Sequence, residues 1–157
     1  MRRAVLIIFC VVFISRLGSA PVPANTSYQE SSDPGAPVFA NVCGKCHPKE
    51  RAVVTRRTRS QWEEVITTMI TTRNAQISDE DFDTVLGYLT REYGRVNINR
   101  APAPDIVEVL HVPEKVGETI VQYRKEHGPF EDFDGLVKVP GIDRDKLESR
   151  RDAILFQ

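Results

Sequence analysis

The stretch from Val96 to Ile142 determines how the second half of the chain folds; it reads VNINRAPAPDIVEVLHVPEKVGETIVQYRKEHGPFEDFDGLVKVPGI. Apolar side chains recur there at the spacing of one helix face. With the residues that follow, they predict four helices, over Ala103–Leu110, Val116–Lys125, Phe133–Val137 and Asp143–Leu155. Turns containing proline or glycine separate these helices, at His111–Lys115, Gly128–Pro129 and Pro140–Gly141. We therefore expect two helical pairs, which form a weak internal repeat of about thirty residues.

Several short motifs carry a family resemblance across this second unit (residues 95–157). They are Val96-Asn97-Ile98-Asn99, then Gly128-Pro129-Phe130, then Val139-Pro140-Gly141-Ile142 and a closing helix. The pattern resembles the helix-hairpin-helix domain of the competence DNA-receptor family. The resemblance implies two hairpins whose turns and helix N-termini hold DNA phosphates with backbone N–H groups, without reading sequence.

The second unit departs from that family at the turns themselves. His111-Val112-Pro113 stands where the family has Gly-x-Gly, and proline has no N–H to offer a phosphate. Asp143 replaces the second glycine of the other turn, where its carboxylate would repel phosphate. Residues 96–157 also hold 9 Lys/Arg against 12 Asp/Glu, whereas duplex binding relies on cations. Nucleic acid is therefore the disfavoured partner, and docking to a protein is the favoured role.

The first unit (residues 38–94) also has a helical pattern and no strand signal. Val38, Phe39 and Val42 fit one helix turn, and a longer helix is expected over Arg59–Arg73. Ser60 with Glu63 suggests a capping box at the start of that longer helix. A third helix opens at Ser78 with an acidic first turn, and it ends at Gly94. The expected fold class is all-α, a small helical domain followed by a tandem helix-hairpin-helix domain.

Cys43-Gly44-Lys45-Cys46-His47 is the C-x-x-C-H attachment signal for haem c. Two thiols close on one helical turn reach the two vinyl groups of a porphyrin, and His47 is then held beneath the ring as an iron ligand. A redox disulfide and half of a zinc site are the alternatives, but no second Cys/His pair completes a zinc site. The motif therefore predicts one covalently attached haem c.

Met69 is the candidate for the second axial ligand, because Met/His ligation is usual in cytochromes c. It is the one methionine that follows Met1, although a methionine at helical spacing is also common in ordinary cores. His111 and His127 are the rival ligands. Trp62 and Tyr88 are expected to pack on the porphyrin, or else to be ordinary core aromatics. A basic run near the haem segment could meet haem propionates or an acidic redox partner, or form a solvated face: Arg51, Arg56, Arg57 and Arg59.

The motifs of the first unit also carry a resemblance. Cys43-x-x-Cys46-His47 is followed by Thr58-x-x-x-Trp62-x-x-Val65-x-x-x-Met69, then by Ile77-Ser78-Asp79-x-x-Phe82 and Leu86-x-Tyr88-Leu89. About a third of the chain resembles the short monohaem cytochrome c domains of bacterial periplasmic proteins, related to quinohaemoprotein haem-binding modules. That resemblance implies that His47 and Met69 form the axial pair.

Residues 1–20 have the pattern of a secretory signal peptide. Arg2 and Arg3 precede an apolar stretch, and Gly18-Ser19-Ala20 places small residues at a cleavage site. An uncleaved N-terminal anchor is the alternative. Residues 21–37, with four prolines, are expected to be a flexible linker. These features predict a periplasmic or otherwise exported protein, with no stable membrane span after cleavage and with oxidising surroundings.

Two classes of function follow from these observations. The favoured one is an electron carrier with His47/Met69 haem c, not an enzyme, whose second unit docks to a redox partner protein. The alternative is an exported DNA-binding protein of the competence-receptor type with an accessory haem. Haem enzymology such as peroxidase activity would need an open iron site and a distal acid/base group, and neither is evident if Met69 ligates iron.

Overall fold

The computed structural model describes residues 32–157, which are mainly helical, so the predicted all-α class is confirmed. The seven helices in that part of the chain are α1 Gly35–Cys43, α2 Arg59–Arg73, α3 Asp79–Tyr93, α4 Ala103–Leu110, α5 Glu114–His127, α6 Phe133–Leu136 and α7 Arg144–Glu148. Two short strands, β1 Val96–Asn97 and β2 Ile154–Leu155, pair in parallel. The predicted signal peptide and residues 21–31 of the predicted linker lie outside the described residues.

Helix α1 begins at Gly35, within the stretch that the sequence assigned to a linker ending at residue 37. The Asp33 carboxylate explains the early start, because it accepts a 2.7 Å hydrogen bond from the Gly35 backbone N–H. Arg91 of α3 holds the same carboxylate through two hydrogen bonds, at 2.6 and 3.0 Å. Gly35 lies so close to Tyr88 that a β-carbon at this position would be 2.7 Å from the Tyr88 Cβ.

The predicted Arg59–Arg73 helix is confirmed, but its cap lies two residues earlier than expected. Thr58 is the N-cap: its side chain accepts from the Gln61 backbone N–H, and the Gln61 side chain accepts from the Thr58 N–H. Ser60 and Glu63 therefore do not form the capping box. Thr58 can take that role because its backbone is extended, as an N-cap requires. Ser78 caps α3 as predicted, by accepting from the Asp81 N–H.

The first unit packs α1, α2 and α3 around one apolar core. Its buried members come from all three helices: Phe39, Val42, Trp62, Ile66, Val85, Leu86, Tyr88 and Leu89. The Phe39 and Tyr88 rings lie 5.1 Å apart between centroids, which joins α1 to α3. Such tilted aromatic pairs stabilise a core beyond the area they bury.

The second unit consists of two helical pairs around a second core. The pair α4–α5 turns at His111, and the pair α6–α7 turns near Gly141. The predicted Ala103–Leu110 helix is confirmed, whereas the predicted closing helix over Asp143–Leu155 is wrong. The α-helix ends at Glu148, and Ile154 and Leu155 form β2 instead. Pairing of Ile154 with Val96 satisfies backbone groups that a helix would have satisfied internally.

Asn99 closes the second unit by joining its beginning, middle and end. Its side-chain N–H groups donate to the carbonyls of Phe130 and Phe156, each at 2.8 Å. Its side-chain oxygen accepts from the Phe130 backbone N–H, also at 2.8 Å. Arg124 of α5 adds to this closure by donating to the carbonyls of Ile98 and Ala101. Three chain segments distant in sequence are thus held by two polar side chains.

None of the helices in the described part of the chain combines the length and apolar character needed to cross a membrane.

We expect Asn99→Ala to lower the free energy of unfolding by about 3 kcal/mol, since it removes three hydrogen bonds worth about 1 kcal/mol each. Asn41→Ala, on the exposed face of α1, is the matched control and should change stability little. Urea denaturation of the full chain measures both effects. Equal midpoints for the two variants would show that Asn99 does not close the unit.

Candidate functional site

The two hairpin turns have related backbone geometry, although their sequences differ. His111 adopts a left-handed conformation with φ of 54°, and Gly141 has φ of 87°. Left-handed backbone is ordinary for glycine and uncommon for other residues. His111 therefore occupies the place of a glycine without losing the turn. In both pairs, a new helix begins three residues after this position, α5 at Glu114 and α7 at Arg144.

The first turn leaves the N-terminus of α5 without a side-chain cap. Pro113 is the N-cap residue, and its carbonyl accepts from the N–H groups of Val116 and Gly117. The first two N–H groups of the helix, on Glu114 and Lys115, have no acceptor within the helix by geometry alone. Pro113 has no N–H to offer a phosphate, but the next two N–H groups remain available at the helix end.

The second turn is capped by its own carboxylate. Asp143 accepts a 3.2 Å hydrogen bond from the Lys146 backbone N–H and forms a 3.5 Å ion pair with the Lys146 ammonium group. The hydrogen bond from that backbone N–H lowers the pKa of Asp143, so the side chain is ionised at neutral pH. A negative charge therefore occupies the position where the helix end would attract a phosphate. The sequence-based expectation about Asp143 agrees with this geometry.

The first turn packs against the C-terminal end of α3. His111 Nε2 lies 3.2 Å from the Arg91 carbonyl oxygen, and Arg150 Nη2 lies 2.7 Å from both His111 ring nitrogens. Arg150 also donates to the Arg91 carbonyl, at 3.1 Å. Burial against α3 lowers the pKa of His111, and the positive charge of Arg150 lowers it further. His111 is therefore neutral at pH 7 and accepts from Arg150.

Three arginines of the predicted basic run have defined partners. Arg56 pairs with Asp152 at 2.7 Å and also donates to the carbonyls at the end of α3. Arg59 pairs with Glu108 of α4 at 3.1 Å. Arg57 lies over the Trp62 ring, 4.8 Å from its centroid. Arg56 and Arg59 thus join the first unit to the second, a role that the sequence analysis did not anticipate for them.

The C-x-x-C-H segment lies at the end of α1. Cys43 is the last residue of that helix and packs half-buried against the first core, while Cys46 is exposed; both are free thiols. His47 Nδ1 lies 3.0 Å from the Pro48 carbonyl oxygen. Burial raises the pKa of the Cys43 thiol to about 11. Cys43 is therefore protonated at neutral pH and is by itself a poor nucleophile.

Met69 differs in burial from Trp62 and Tyr88, the two aromatic residues that are predicted to pack on the haem. Met69 is half-buried on α2. Trp62 is fully buried and its indole N–H donates to the Tyr93 carbonyl at 3.2 Å, and Tyr88 is 2% exposed in the same core. The rival ligands have partners in the second unit: His111 has Arg150, and the His127 ring stacks on the Tyr123 ring at 4.1 Å. Within residues 32–157 there is no group of three or more His, Cys, Asp or Glu side chains suited to a metal ion.

Comparison with protein families matches the helix-hairpin-helix motif to residues 92–154, which is less than half of the chain. The second unit is therefore a helix-hairpin-helix unit, as its sequence resemblance implied. No cytochrome c or haem-binding family is matched. No solved structure matches the chain.

Three curated relatives illustrate the extent of similarity. The chain is 43% identical over 63 residues to an uncharacterized protein of Haemophilus influenzae, which covers 40% of this chain and 56% of that protein. It is 41% identical over 56 residues to the endonuclease/exonuclease/phosphatase family domain-containing protein 1 of Danio rerio, covering 36% of this chain and 10% of that protein. The human protein of that name is 38% identical over 63 residues, 40% of this chain and 11% of its own length. The chain thus spans from a tenth to just over half of these relatives.

We expect stability to fall as the pH drops from about 6.5 towards the lowered pKa of folded His111. In that window the unfolded chain binds a proton at His111 that the folded chain excludes, so acid favours unfolding. His111→Asn should flatten this part of the stability–pH curve, since asparagine tolerates the left-handed turn and does not titrate. Urea unfolding at a series of pH values measures it.

His127→Asn, at the exposed end of α5, is the control for the loss of a histidine as such. If His111→Asn and His127→Asn changed the slope of the stability–pH curve to the same extent, the contact between His111 and Arg150 would not be the cause of the pH dependence.

Proposed function

We propose that this chain is an exported nucleic-acid-binding protein whose helix-hairpin-helix unit holds the phosphate backbone, with a haem c attached to its first unit. The open N-terminus of α5, behind the His111 turn, is the observation that carries the proposal. Two N–H groups there have no helical acceptor, and the exposed Lys115 stands beside them. Contacts of this kind bind phosphate and do not read base sequence.

The structure reverses the emphasis of the sequence analysis at one point. Both turns were interpreted as damaged, which favoured protein docking over nucleic acid. Only the second turn has a carboxylate at its helix end, whereas the first retains free helix N–H groups behind Pro113. The motif match over residues 92–154 supports the same conclusion.

The acidic balance of the second unit sets the expected strength of binding. Residues 96–157 hold 9 Lys/Arg against 12 Asp/Glu and neutralise few phosphates, so binding is weak, independent of sequence and only shallowly dependent on salt. The named relatives include endonuclease/exonuclease/phosphatase family domain-containing proteins, but this chain covers only about a tenth of them. Their names therefore support nucleic acid as the partner class and give no reason to assign hydrolysis to this chain.

Lys115→Gln is expected to weaken duplex DNA binding about threefold or more. It should also reduce the slope of log affinity against log salt concentration by about one. The loss of one phosphate contact at the α5 N-terminus is the physical reason. Lys125→Gln, about 15 Å further along the same helix, is the matched control and should bind normally. Fluorescence anisotropy at two salt concentrations measures both variants.

Asp143→Gly is expected to strengthen binding, because it removes the carboxylate from the second turn. Absence of binding by the wild-type chain at low salt, together with no gain in Asp143→Gly, would contradict the proposed function.

A second function is favoured by the C-x-x-C-H segment, namely electron transfer to a redox partner protein. The donor set fits haem c: Cys43 and Cys46 are free thiols, and contact of His47 Nδ1 with the Pro48 carbonyl leaves Nε2 for iron. Val54 follows this segment in the sequence and is 80% exposed. A porphyrin that covered this apolar surface would remove it from water, which is favourable in free energy. Bound haem would supply one-electron redox chemistry.

The residues of the first unit would hold that haem in defined ways. Cys43 and Cys46 would attach it covalently, and His47 and Met69 of α2 would be the iron ligands. Trp62 and Tyr88 support the core of the same unit, since both are buried and Trp62 is hydrogen-bonded to the end of α3. A haem held by these residues would supply electron transfer rather than peroxidase chemistry.

Met69→Ala is expected to change the visible absorption spectrum of the reduced haem protein, because a thioether ligand is lost from iron. Ile70→Ala, a half-buried neighbour on the same helix, is the control for lost packing and should leave the spectrum unchanged. Unchanged spectra in both variants would reject Met69 as the ligand, and a purified chain without haem would reject the electron-transfer role altogether.

A further inference from the structure

A cationic pocket lies where the first unit meets the second, away from both hairpin turns. Its volume is about 200 Å³, and it lies between the N-terminus of α2, the connection that follows α3 and the first turn of α4. Arg59, Arg95 and Arg100 line it, and Asp105 is the single carboxylate among its lining side chains. The pocket extends along α4 as far as Val109, and no residue of the His111 turn itself lines it.

Arg95 has a polar atom that the protein leaves unsatisfied. Its Nε is buried and has no hydrogen-bond partner among the described residues. The rest of the side chain is held in place, because Nη2 donates to the Gln61 side chain at 3.2 Å. The backbone N–H of Arg95 donates to the Arg57 carbonyl at 2.9 Å. A buried donor of a charged group that lacks an acceptor is costly, and such donors are rare in folded proteins.

The other two arginines add positive charge on different sides of the pocket. Arg59 forms an ion pair with Glu108, because its Nη1 atom lies 3.1 Å from that carboxylate. Arg100 is exposed, and its backbone N–H is tied to the Asn97 carbonyl, which fixes where its side chain starts. Set against Asp105 in the lining and Glu108 beside Arg59, the three cations leave a net charge of +1 at the pocket.

The start of α2 supplies further donors to the same space. Arg59 and Ser60 are the first two residues of this 15-residue helix, and their N–H groups have no acceptor within it. The Thr58 hydroxyl is already occupied by the Gln61 N–H, and it lies 3.1 Å from the Ser60 hydroxyl. The positive end of the helix dipole therefore adds to the charge of the arginines.

We propose that this pocket binds a phosphate group. A single arginine fork satisfies a planar carboxylate, whereas donors that converge from α2, from Arg95 and from Arg100 suit the several oxygens of a tetrahedral anion. The net positive charge around the pocket also favours an anion. Because the donors come from both units, the bound anion holds the two units together and stabilises the folded chain.

The phosphate can come from a free ion or from the 5′ end of an oligonucleotide, and the two sources are separable by experiment. This pocket does not rest on the proposed nucleic-acid binding, because none of its donors belongs to the hairpin turns. Inorganic phosphate is the first probe, and oligonucleotides with and without a 5′-phosphate are the second.

The test is calorimetric titration of the purified full chain with sodium phosphate, at constant ionic strength and with sodium chloride as the comparison. We expect saturable binding of one phosphate per chain. Arg95→Gln should weaken it about tenfold, since one of the cationic side chains that line the pocket is lost. Arg100→Gln, at an exposed position, should weaken it to a smaller extent without affecting folding. Arg73→Gln, at the other end of α2, is the matched control and should bind normally.

Several outcomes would overturn the proposal. Absence of phosphate binding at millimolar concentrations would do so, as would equal losses in Arg100→Gln and Arg73→Gln. If Lys115→Gln, and neither pocket variant, abolished phosphate binding, the anion would belong to the hairpin turn. A preference for the 5′-phosphorylated oligonucleotide that disappears in Arg95→Gln would assign the nucleic-acid end as the source, and phosphate binding without that preference would assign the free ion.

Discussion

The three hydrogen bonds of the Asn99 side chain are the interaction on which the second unit depends. They join the segment that follows β1 to the backbone of Phe130, between α5 and α6, and to the Phe156 carbonyl. The parallel pairing of Val96 with Ile154 continues the same closure through the backbone. Since the two helical pairs lie between these points, the closure holds both hairpin turns in place around a single core.

The junction between the units depends on arginines in a comparable way. Arg56 and Arg59 extend from the first unit to Asp152 and Glu108, and Arg150 extends back to the end of α3. These contacts have two functional consequences. They hold His111, and with it the first hairpin turn, against α3, and they bring Arg95 and the start of α2 together in one cationic pocket.

The two units support different chemistry. The helix-hairpin-helix unit offers backbone N–H groups at the α5 N-terminus, suited to phosphate but with few cations to strengthen the contact. The first unit offers two free thiols and a histidine whose Nδ1 is already engaged, a donor set suited to haem. Neither role requires the other. An exported chain that combines them would place a redox group close to a nucleic-acid surface.

The sequence by itself determined most of the helices, the positions of the turns and the C-x-x-C-H motif, because helical periodicity and motif spacing are local properties. The Arg59–Arg73 and Ala103–Leu110 helices match the structure for this reason. The sequence misplaced the end of the chain, where Ile154 leaves the helical pattern to pair with Val96, some sixty residues away. Tertiary structure alone decided the partners of Arg56, Arg59 and Arg150, the neutral His111 and the unsatisfied Arg95 Nε. Each of these depends on groups brought together only by packing of the two units, and no local pattern records which distant residues will meet.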